Sequence, residues 1–161
     1  MLESLGLPRF LSTDNHEILF FYTKGGAREK IIVQFMNDKF LKMIQVNASI
    51  RDEICCSLEA TGIYVFADKS NASKSKLLAR HFPVNLGEQE DIATGAIAST
   101  VAKHIWRDGK SRSIDIFQGG KYSNSARIIV SKNALSDSWH VIGECFATEC
   151  MKIQDFHFSQ S

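Results

Sequence analysis

The chain has 161 residues, of which 44% are hydrophobic, and its 19 Lys plus Arg against 18 Asp plus Glu leave a formal net charge of +1. This length is close to the commonest domain size, so we expect residues 1–161 to form a single domain with its own core. The balanced charge argues against a protein that binds nucleic acid or is drawn to a membrane surface. No apolar run reaches the ~20 residues of a membrane span and no signal peptide is recognisable, so we expect a cytoplasmic location.

Cysteines, histidines and basic residues give no sign of a metal or nucleic-acid site. The chain has no Cys-x-x-Cys motif, and no two of its histidines have the spacing of metal ligands on a helix. We therefore predict no metal, and we expect all four cysteines to be buried, reduced thiols. The basic residues Lys69, Lys74, Lys76 and Arg80 lie in a Ser/Asn-rich segment, which indicates a solvated loop.

The first half of the chain alternates short strands with short helices. Residues 16–23 and 30–36 are rich in β-branched and aromatic residues, which predicts a hairpin across the intervening Lys-Gly-Gly. Residues 37–38 are expected to cap a helix that ends at Met43. A second helix is predicted over 51–60 with Gly62 as its stop, and strands over 63–67 and 77–82.

The second half contains one longer helix followed by strands. Residues 93–106 are apolar around most of a helical circumference, which predicts a buried helix. Four further strands are predicted over residues 112–118, 126–132, 139–146 and 149–156, separated by turn residues. Apolar residues alternate in the first and third of them, as in a half-buried strand. Together these elements predict an α+β domain in which a β-rich layer surrounds one long helix. A hot-dog fold would produce a similar pattern, and the pattern alone does not distinguish the two.

The loop that leads into this long helix is the strongest candidate for a functional site. It is acidic and contains Gly87, and Thr94 and Gly95 stand where the helix should begin. The first N–H groups of a helix have no partner within it, so a carboxylate or phosphate could bind there, within reach of Asp91. The alternative is that Thr94 merely caps the helix, while Glu90 and Asp91 complement its dipole.

The loop also resembles a family signature. Residues 90–96, Glu-Asp-Ile-Ala-Thr-Gly-Ala, are similar to the Glu-Asp-Pro-x-Thr-Gly-Ser-Ala motif of the phenazine-biosynthesis isomerase-like (PhzF-like) family, which is related to diaminopimelate epimerase. Arg80-His81-Phe82-Pro83 resembles the family's preceding Arg-x-Phe-x-Pro stretch. Gln118-Gly119 with residues 126–130 resembles its following turn and strand, and residues 141–143 its closing Val-x-Gly-Gly hairpin.

This resemblance implies a fold and an incomplete protein. The fold would be one half of a diaminopimelate epimerase-like protein, with a β-barrel-like sheet wrapped around a long central helix. All the matching motifs belong to the family's second, C-terminal half, and the catalytic glutamate of the first half has no counterpart. The chain therefore looks like half an enzyme, and its site would be completed by a homodimer partner or by a separately encoded N-terminal half.

The resemblance also implies a chemistry and its residues. The family transfers a proton at a carbon next to a carboxyl or carbonyl group without a cofactor, so a small carboxylate substrate is expected. Asp91 matches the catalytic acidic residue of this half, and Thr94 and Gly95 match its backbone anion site. Substrate contacts are further expected from Ala96, Gln118 and Gly119.

Three departures from the family pattern keep other functions open. Ala96 replaces a serine, Ile92 replaces the proline, and residues 123–125 replace a Gly-Arg-Pro run. The first hypothesis is an isomerase or epimerase assembled from two chains. The second is a degenerate module that binds small carboxylates or serves assembly. The third is a folded remnant of a broken gene.

Overall fold

The computed structural model of the chain contains one mixed sheet of seven strands, with helices packed on it. It describes residues 1–7, 18–23, 29–71, 75–106, 113–120, 125–133, 136 and 138–143. The strands are β1 (Ile18–Thr23), β2 (Lys30–Phe35), β3 (Gly62–Asp68), β4 (Ser75–Pro83), β5 (Ser113–Gln118), β6 (Ala126–Lys132) and β7 (Trp139–Gly143). The helices are α1 (Lys39–Met43), α2 (Ala48–Ser57) and α3 (Gly95–Ile105), with short 3-10 helices at Leu2–Leu5 and Val84–Leu86.

Strand order in the sheet follows the chain, and its two parallel pairs explain where the helices lie. β1 and β2 pair antiparallel, as the predicted hairpin requires. β2 with β3 and β4 with β5 are parallel, and the remaining neighbours are antiparallel. Parallel neighbours cannot be joined by a tight turn, so the chain crosses over the sheet between them. α1 and α2 form the first crossover and α3 forms the second.

The central strands are apolar on both faces because each face carries its own core. On one face, β2 and β3 contribute Ile31 and Val65 to a cluster that includes residues of α1 and α2. On the other, Ile32 and Phe66 join a cluster that includes α3. Successive side chains of a strand point to opposite faces, so a continuous apolar run covers both cores.

α3 is buried along one stripe only, which corrects the prediction that a helix apolar on most of its circumference would be buried all round. Its buried positions are Ile97, Ala98, Val101 and Ala102. The α+β class is confirmed, but over the described residues the sheet is open, with β1 and β7 as its edges. Phe21 of β1 and Trp139 of β7 both pack against the α3-side cluster, and a barrel-like closure around α3 stays a prediction.

Three other expectations need correction. α2 begins at Ala48, earlier than predicted, because the Asn47 side chain accepts a hydrogen bond from Ile50 N at 3.1 Å and caps the helix. Gly62 is the first residue of β3 and not a helix stop. Cys56 is exposed, whereas Cys55 is buried as expected.

Part of the predicted structure lies outside the described residues. This applies to the hairpin turn at 24–26, the strand over 149–156 and the end of the strand predicted over 139–146. Across the ranges that are described, every helix falls short of the length and apolarity that crossing a membrane would need.

Candidate active site

The loop between β4 and α3 brings Asp91 to the ends of two parallel strands. Asp91 N donates to His81 O at 3.0 Å, which ties the loop to β4. Gln118, the last residue of β5, donates from Nε2 to Asp91 O at 2.6 Å. Both bonds hold the main chain of Asp91, so its side chain leaves the sheet at a fixed point, three residues before Thr94.

The Asp91 carboxylate is half-exposed and has a hydrogen-bond donor on each oxygen. Ala93 N donates to Oδ1 at 3.1 Å, and Thr94 Oγ1 donates to Oδ2 at 2.7 Å. Partial burial alone would raise the pKa of this carboxyl, but the bonds from Thr94 and Ala93, together with His81, outweigh it and lower the pKa. Asp91 is therefore ionised at neutral pH, with 36% of its side chain exposed.

The Thr94 hydroxyl is bound to Asp91 and does not cap α3. Thr94 occupies the cap position, but its side chain makes no capping hydrogen bond to the first turn. Instead it donates to Asp91 and receives a bond from Gln118 Nε2 at 2.9 Å. The alternative in which Thr94 serves only as a helix cap is therefore wrong in this structure.

Gln118 lies beneath this arrangement and is fully buried. Its amide group must be oriented with Nε2 toward Asp91 O, because the reverse orientation would place two acceptors 2.6 Å apart. Both amide hydrogens are thus engaged, one by Asp91 O and one by Thr94 Oγ1. The neighbouring Gly119 is also buried, and its N–H donates to Ala79 O at 3.0 Å. A direct substrate contact by either residue stays a prediction.

His81 belongs to the same cluster, although sequence reasoning did not select it. Its side chain is 3% exposed, and Nδ1 lies 2.7 Å from Thr94 Oγ1 and 3.4 Å from Asp91 Oδ2. Burial and the nearby Lys30 cation lower the pKa of His81 from 6.5 to about 4, against an opposing effect of Asp91. The missed signal was alternation, since His81 follows Leu77 and Ala79 on the face that packs against α3.

Arg80 and Glu90 fasten the loop on the other face of β4. Arg80 Nη1 donates to Leu41 O at 2.7 Å and to Ile44 O at 3.0 Å, and Nε donates to Glu90 Oε2 at 3.0 Å. Gly120 N donates to the second oxygen of Glu90 at 2.8 Å. Arg80 is therefore mostly buried and anchors the loop, which corrects its assignment to a solvated loop. Glu90 fastens the loop by binding Arg80 and Gly120, and its role is not to complement the helix dipole.

Gly95 and Ala96 begin α3 next to the Asp91 carboxylate. Ala96 is exposed, while Gly95 is half-buried beside β7, where an added Cβ would lie 3.5 Å from Val141 Cγ1. The positive end of the helix dipole and the Asp91 anion therefore meet at one surface. Within the described ranges, no three His, Cys, Asp or Glu side chains are grouped to hold a metal ion.

Comparison with known proteins relates the chain to one family and agrees with its fold. The family model described as "Phenazine biosynthesis-like protein" matches residues 4–147. The crystal structure of a phenazine biosynthesis protein of the PhzF family from Bacillus anthracis is 14% identical, with a TM-score of 0.57 over 86% of this chain and 48% of that chain. A PhzF-family structure from Enterococcus faecalis is 9% identical, with a TM-score of 0.40 over 74% of this chain and 40% of that chain.

The similarity to the Bacillus anthracis protein is a similarity of fold, and this chain spans about half of that protein's length. No curated protein sequence matches the chain significantly. Since the family model covers all but the ends of the sequence, the chain belongs to the phenazine biosynthesis-like (PhzF) family.

Proposed function

We propose that this chain forms one wall of an isomerase or epimerase site, in which Asp91 takes part in proton transfer at a carbon next to a carboxyl or carbonyl group. The observation that carries the proposal is that the Thr94 hydroxyl donates its hydrogen bond to Asp91. It holds Asp91 as an ionised carboxylate and leaves the start of α3 without a side-chain cap from Thr94. A fixed anion and a helix N-terminus thus stand side by side.

The two features suit different parts of one reaction. Proton removal needs a base within hydrogen-bond reach of the carbon, and an ionised carboxylate can accept that proton. The developing enolate and the substrate carboxylate need N–H donors, which the first turn of α3 offers at Gly95 and Ala96. In this role Gln118 and Gly119 border the substrate, and no cofactor is required.

Asp91 cannot supply the whole reaction. Because its pKa is lowered, Asp91 carries almost no proton at neutral pH and is a poor general acid. We propose that the acid comes from a second wall, supplied by a second copy of this chain or by a separately encoded N-terminal half. The length of the Bacillus anthracis protein, of which this chain covers 48%, supports a site larger than this chain.

The fold around the site is part of the proposal. We propose that the sheet curls around α3 in the manner of a barrel, because Phe21 at one edge and Trp139 at the other pack against the same cluster. We further propose that this domain belongs to a cytoplasmic enzyme that acts on small biosynthetic carboxylates.

The test is proton exchange at carbon in the assembly purified from its own cells. Small dicarboxylates are incubated in D2O, and deuterium incorporation next to the carboxyl group is followed by NMR. We expect Asp91→Asn to slow exchange by ~10²-fold or more, since it removes the proton acceptor. The matched control, Glu53→Gln at an exposed position of α2, should not change the rate. Equal exchange rates for Asp91→Asn and wild type would refute the proposal.

A second function is favoured by Ala96, which is exposed where the family usually has a serine. Without that hydroxyl the site would hold a carboxylate but catalyse poorly, as expected of a binding or assembly module. Titration of the Gly95 and Ala96 amides with millimolar dicarboxylate distinguishes the cases. Shifted amides without deuterium exchange would identify a binding module, and unshifted amides would argue against any carboxylate site.

A further inference from the structure

His81 is tied into the Asp91 cluster by a set of contacts that permits one arrangement of protons. Thr94 Oγ1 has three polar neighbours, namely Asp91 Oδ2 and His81 Nδ1 at 2.7 Å each and Gln118 Nε2 at 2.9 Å. A hydroxyl has one proton to donate and two lone pairs with which to accept. Gln118 uses one lone pair, because its Nε2 can only donate.

The remaining proton and lone pair can be assigned from the chemistry of the two other neighbours. An ionised carboxylate only accepts, so the hydroxyl proton must point to Asp91 Oδ2; otherwise two oxygens would meet at 2.7 Å without a proton between them. The second lone pair then faces His81 Nδ1, which must donate. The imidazole therefore carries its proton on Nδ1.

The second ring nitrogen lies away from the site. Nε2 is buried and has no hydrogen-bond partner among the described residues. An added Cβ on Gly62 would lie 3.2 Å from it, so Nε2 faces the backbone of β3. Nδ1 is thus directed at Thr94 and Nε2 at β3, so neither ring nitrogen is available to a substrate. His81 can act on a substrate only through Thr94 and Asp91.

We propose that His81 is a positioning residue, whose Nδ1–H fixes the direction of the Thr94 hydroxyl and so holds the Asp91 carboxylate ionised and in one orientation. Ala93 N and Thr94 Oγ1 each use one lone pair of the Asp91 oxygens, which favours the ionised form and leaves a second lone pair on each oxygen to accept a proton. The inference rests on the proposed role of Asp91 for its functional meaning. The proton arrangement itself follows from the contacts together with an ionised Asp91, which is the ordinary state of an aspartate at neutral pH.

The charged and titratable groups around His81 agree with a neutral ring. Asp91 faces it from the loop and Lys30 acts on it from β2. Tyr64 of β3 places its ring 5.8 Å from the imidazole, centroid to centroid. The Lys30 cation and burial both disfavour a second proton on the imidazole, and the proposed arrangement needs only the one on Nδ1.

The first test is ¹⁵N NMR of the histidine side chains in the wild-type chain at pH 7. We expect His81 to be neutral, with the proton on Nδ1 and a bare Nε2. A proton on Nε2 would overturn the proposal directly, and no variant or substrate is needed for that result.

The second test measures the Asp91 pKa by ¹³C NMR of the carboxyl group. In His81→Phe, which has no donor, we expect the Asp91 pKa to rise by about half a pH unit to one, the effect of one hydrogen bond. In His81→Asn, the side-chain amide can donate in place of Nδ1–H, and the Asp91 pKa should stay near that of the wild type. An unchanged Asp91 pKa in folded His81→Phe would contradict the proposal.

The two tests remain decisive if His81→Phe does not fold, because the wild-type proton position is measured independently. The outcomes of both tests are also independent of whether the proposed isomerase function is correct. A chain that exchanges no deuterium can still show the Nδ1 proton, and an active chain can still lack it.

Discussion

The burial of His81 should make the folded chain sensitive to acid over a defined interval. Burial and Lys30 lower the pKa of this group from 6.5 to about 4, although Asp91 opposes them. Between these values the unfolded chain binds a proton that the folded chain does not. Stability is therefore complete above about pH 6.5 and falls toward about pH 4, by ~3 kcal/mol in total.

Urea unfolding at intervals from pH 7.5 to 4 measures this slope. His81→Asn should remove most of it, because the titrating group is gone. His140→Asn is the matched control, since His140 is exposed on β7 and the slope should persist. A slope that survives in His81→Asn would assign the acid sensitivity to other groups.

The Thr94 hydroxyl should matter more for stability than a half-buried threonine ordinarily does. In Thr94→Val, two donors, Gln118 Nε2 and His81 Nδ1, lose their acceptor, and Asp91 Oδ2 loses a donor. We expect a loss of about 1–3 kcal/mol in the free energy of unfolding, because buried donors without partners are costly. Thr94→Ser keeps the hydroxyl and should lose less than ~1 kcal/mol. Similar losses in the two variants would indicate that the methyl group, not the hydroxyl, stabilises the site.

At the scale of elements, the connection from β4 to α3 depends on a glycine in the turn after β5. A Cβ added to Gly120 would collide with Glu90 Oε1 and lie 3.2 Å from Arg80 Nη2. Gly120→Ala should therefore displace the Glu90 side chain from Gly120 N and weaken its contact with Arg80. We expect a loss of about 1–2 kcal/mol, together with faster amide exchange in the loop around Asp91.

Gly143→Ala provides the matched control, because among the described residues an added Cβ there would meet only Arg127 O, at 3.9 Å. It should change stability by no more than ~0.5 kcal/mol. Equal effects of the two alanine substitutions would mean that Glu90 is not an anchor of the loop.

The strands were predictable because their signal is local, whereas helix ends and the site were less so. Alternation predicts a strand over 112–118, and β5 is observed at Ser113–Gln118. The predicted start of α2 is three residues late, because the helix is capped by Asn47. His81 could have been assigned to the α3 face by alternation. Its contact with Thr94 could not, because that depends on where the loop returns.

At the scale of the whole molecule, the site exists because β4 and β5 are parallel neighbours. Parallel pairing places the carboxyl ends of both strands at the same end of the sheet, and α3 begins after the loop that follows β4 there. Gln118 thereby reaches Asp91 and Thr94 from 24 or more residues away in sequence. The family motifs drew attention to Asp91, Thr94 and Gln118, which the structure brings together. They could not predict that Gln118 holds the other two in place, since that follows from the strand pairing.

The surface beside the site is where a second wall would have to bind. Ile92 is 62% exposed in the loop that carries Asp91, and Val141 is exposed next to Gly95. In the proposed two-walled site, exposed apolar side chains at its rim would be covered by the partner. We therefore expect the chain to associate with a second copy or with a separately encoded half when it is purified from its own cells.

Native mass spectrometry tests this association, and Ile92→Asp should weaken it at least tenfold while changing the stability of the isolated chain by less than ~0.5 kcal/mol. Met36→Asp is the control. Met36 is 60% exposed, but it lies at the end of β2 far from Lys30, the residue of β2 that acts on His81. A wild-type chain that remains monomeric would remove the second wall from the proposed isomerase and leave the carboxylate-binding module as the better interpretation. Equal weakening by Met36→Asp would place the interface elsewhere on the sheet.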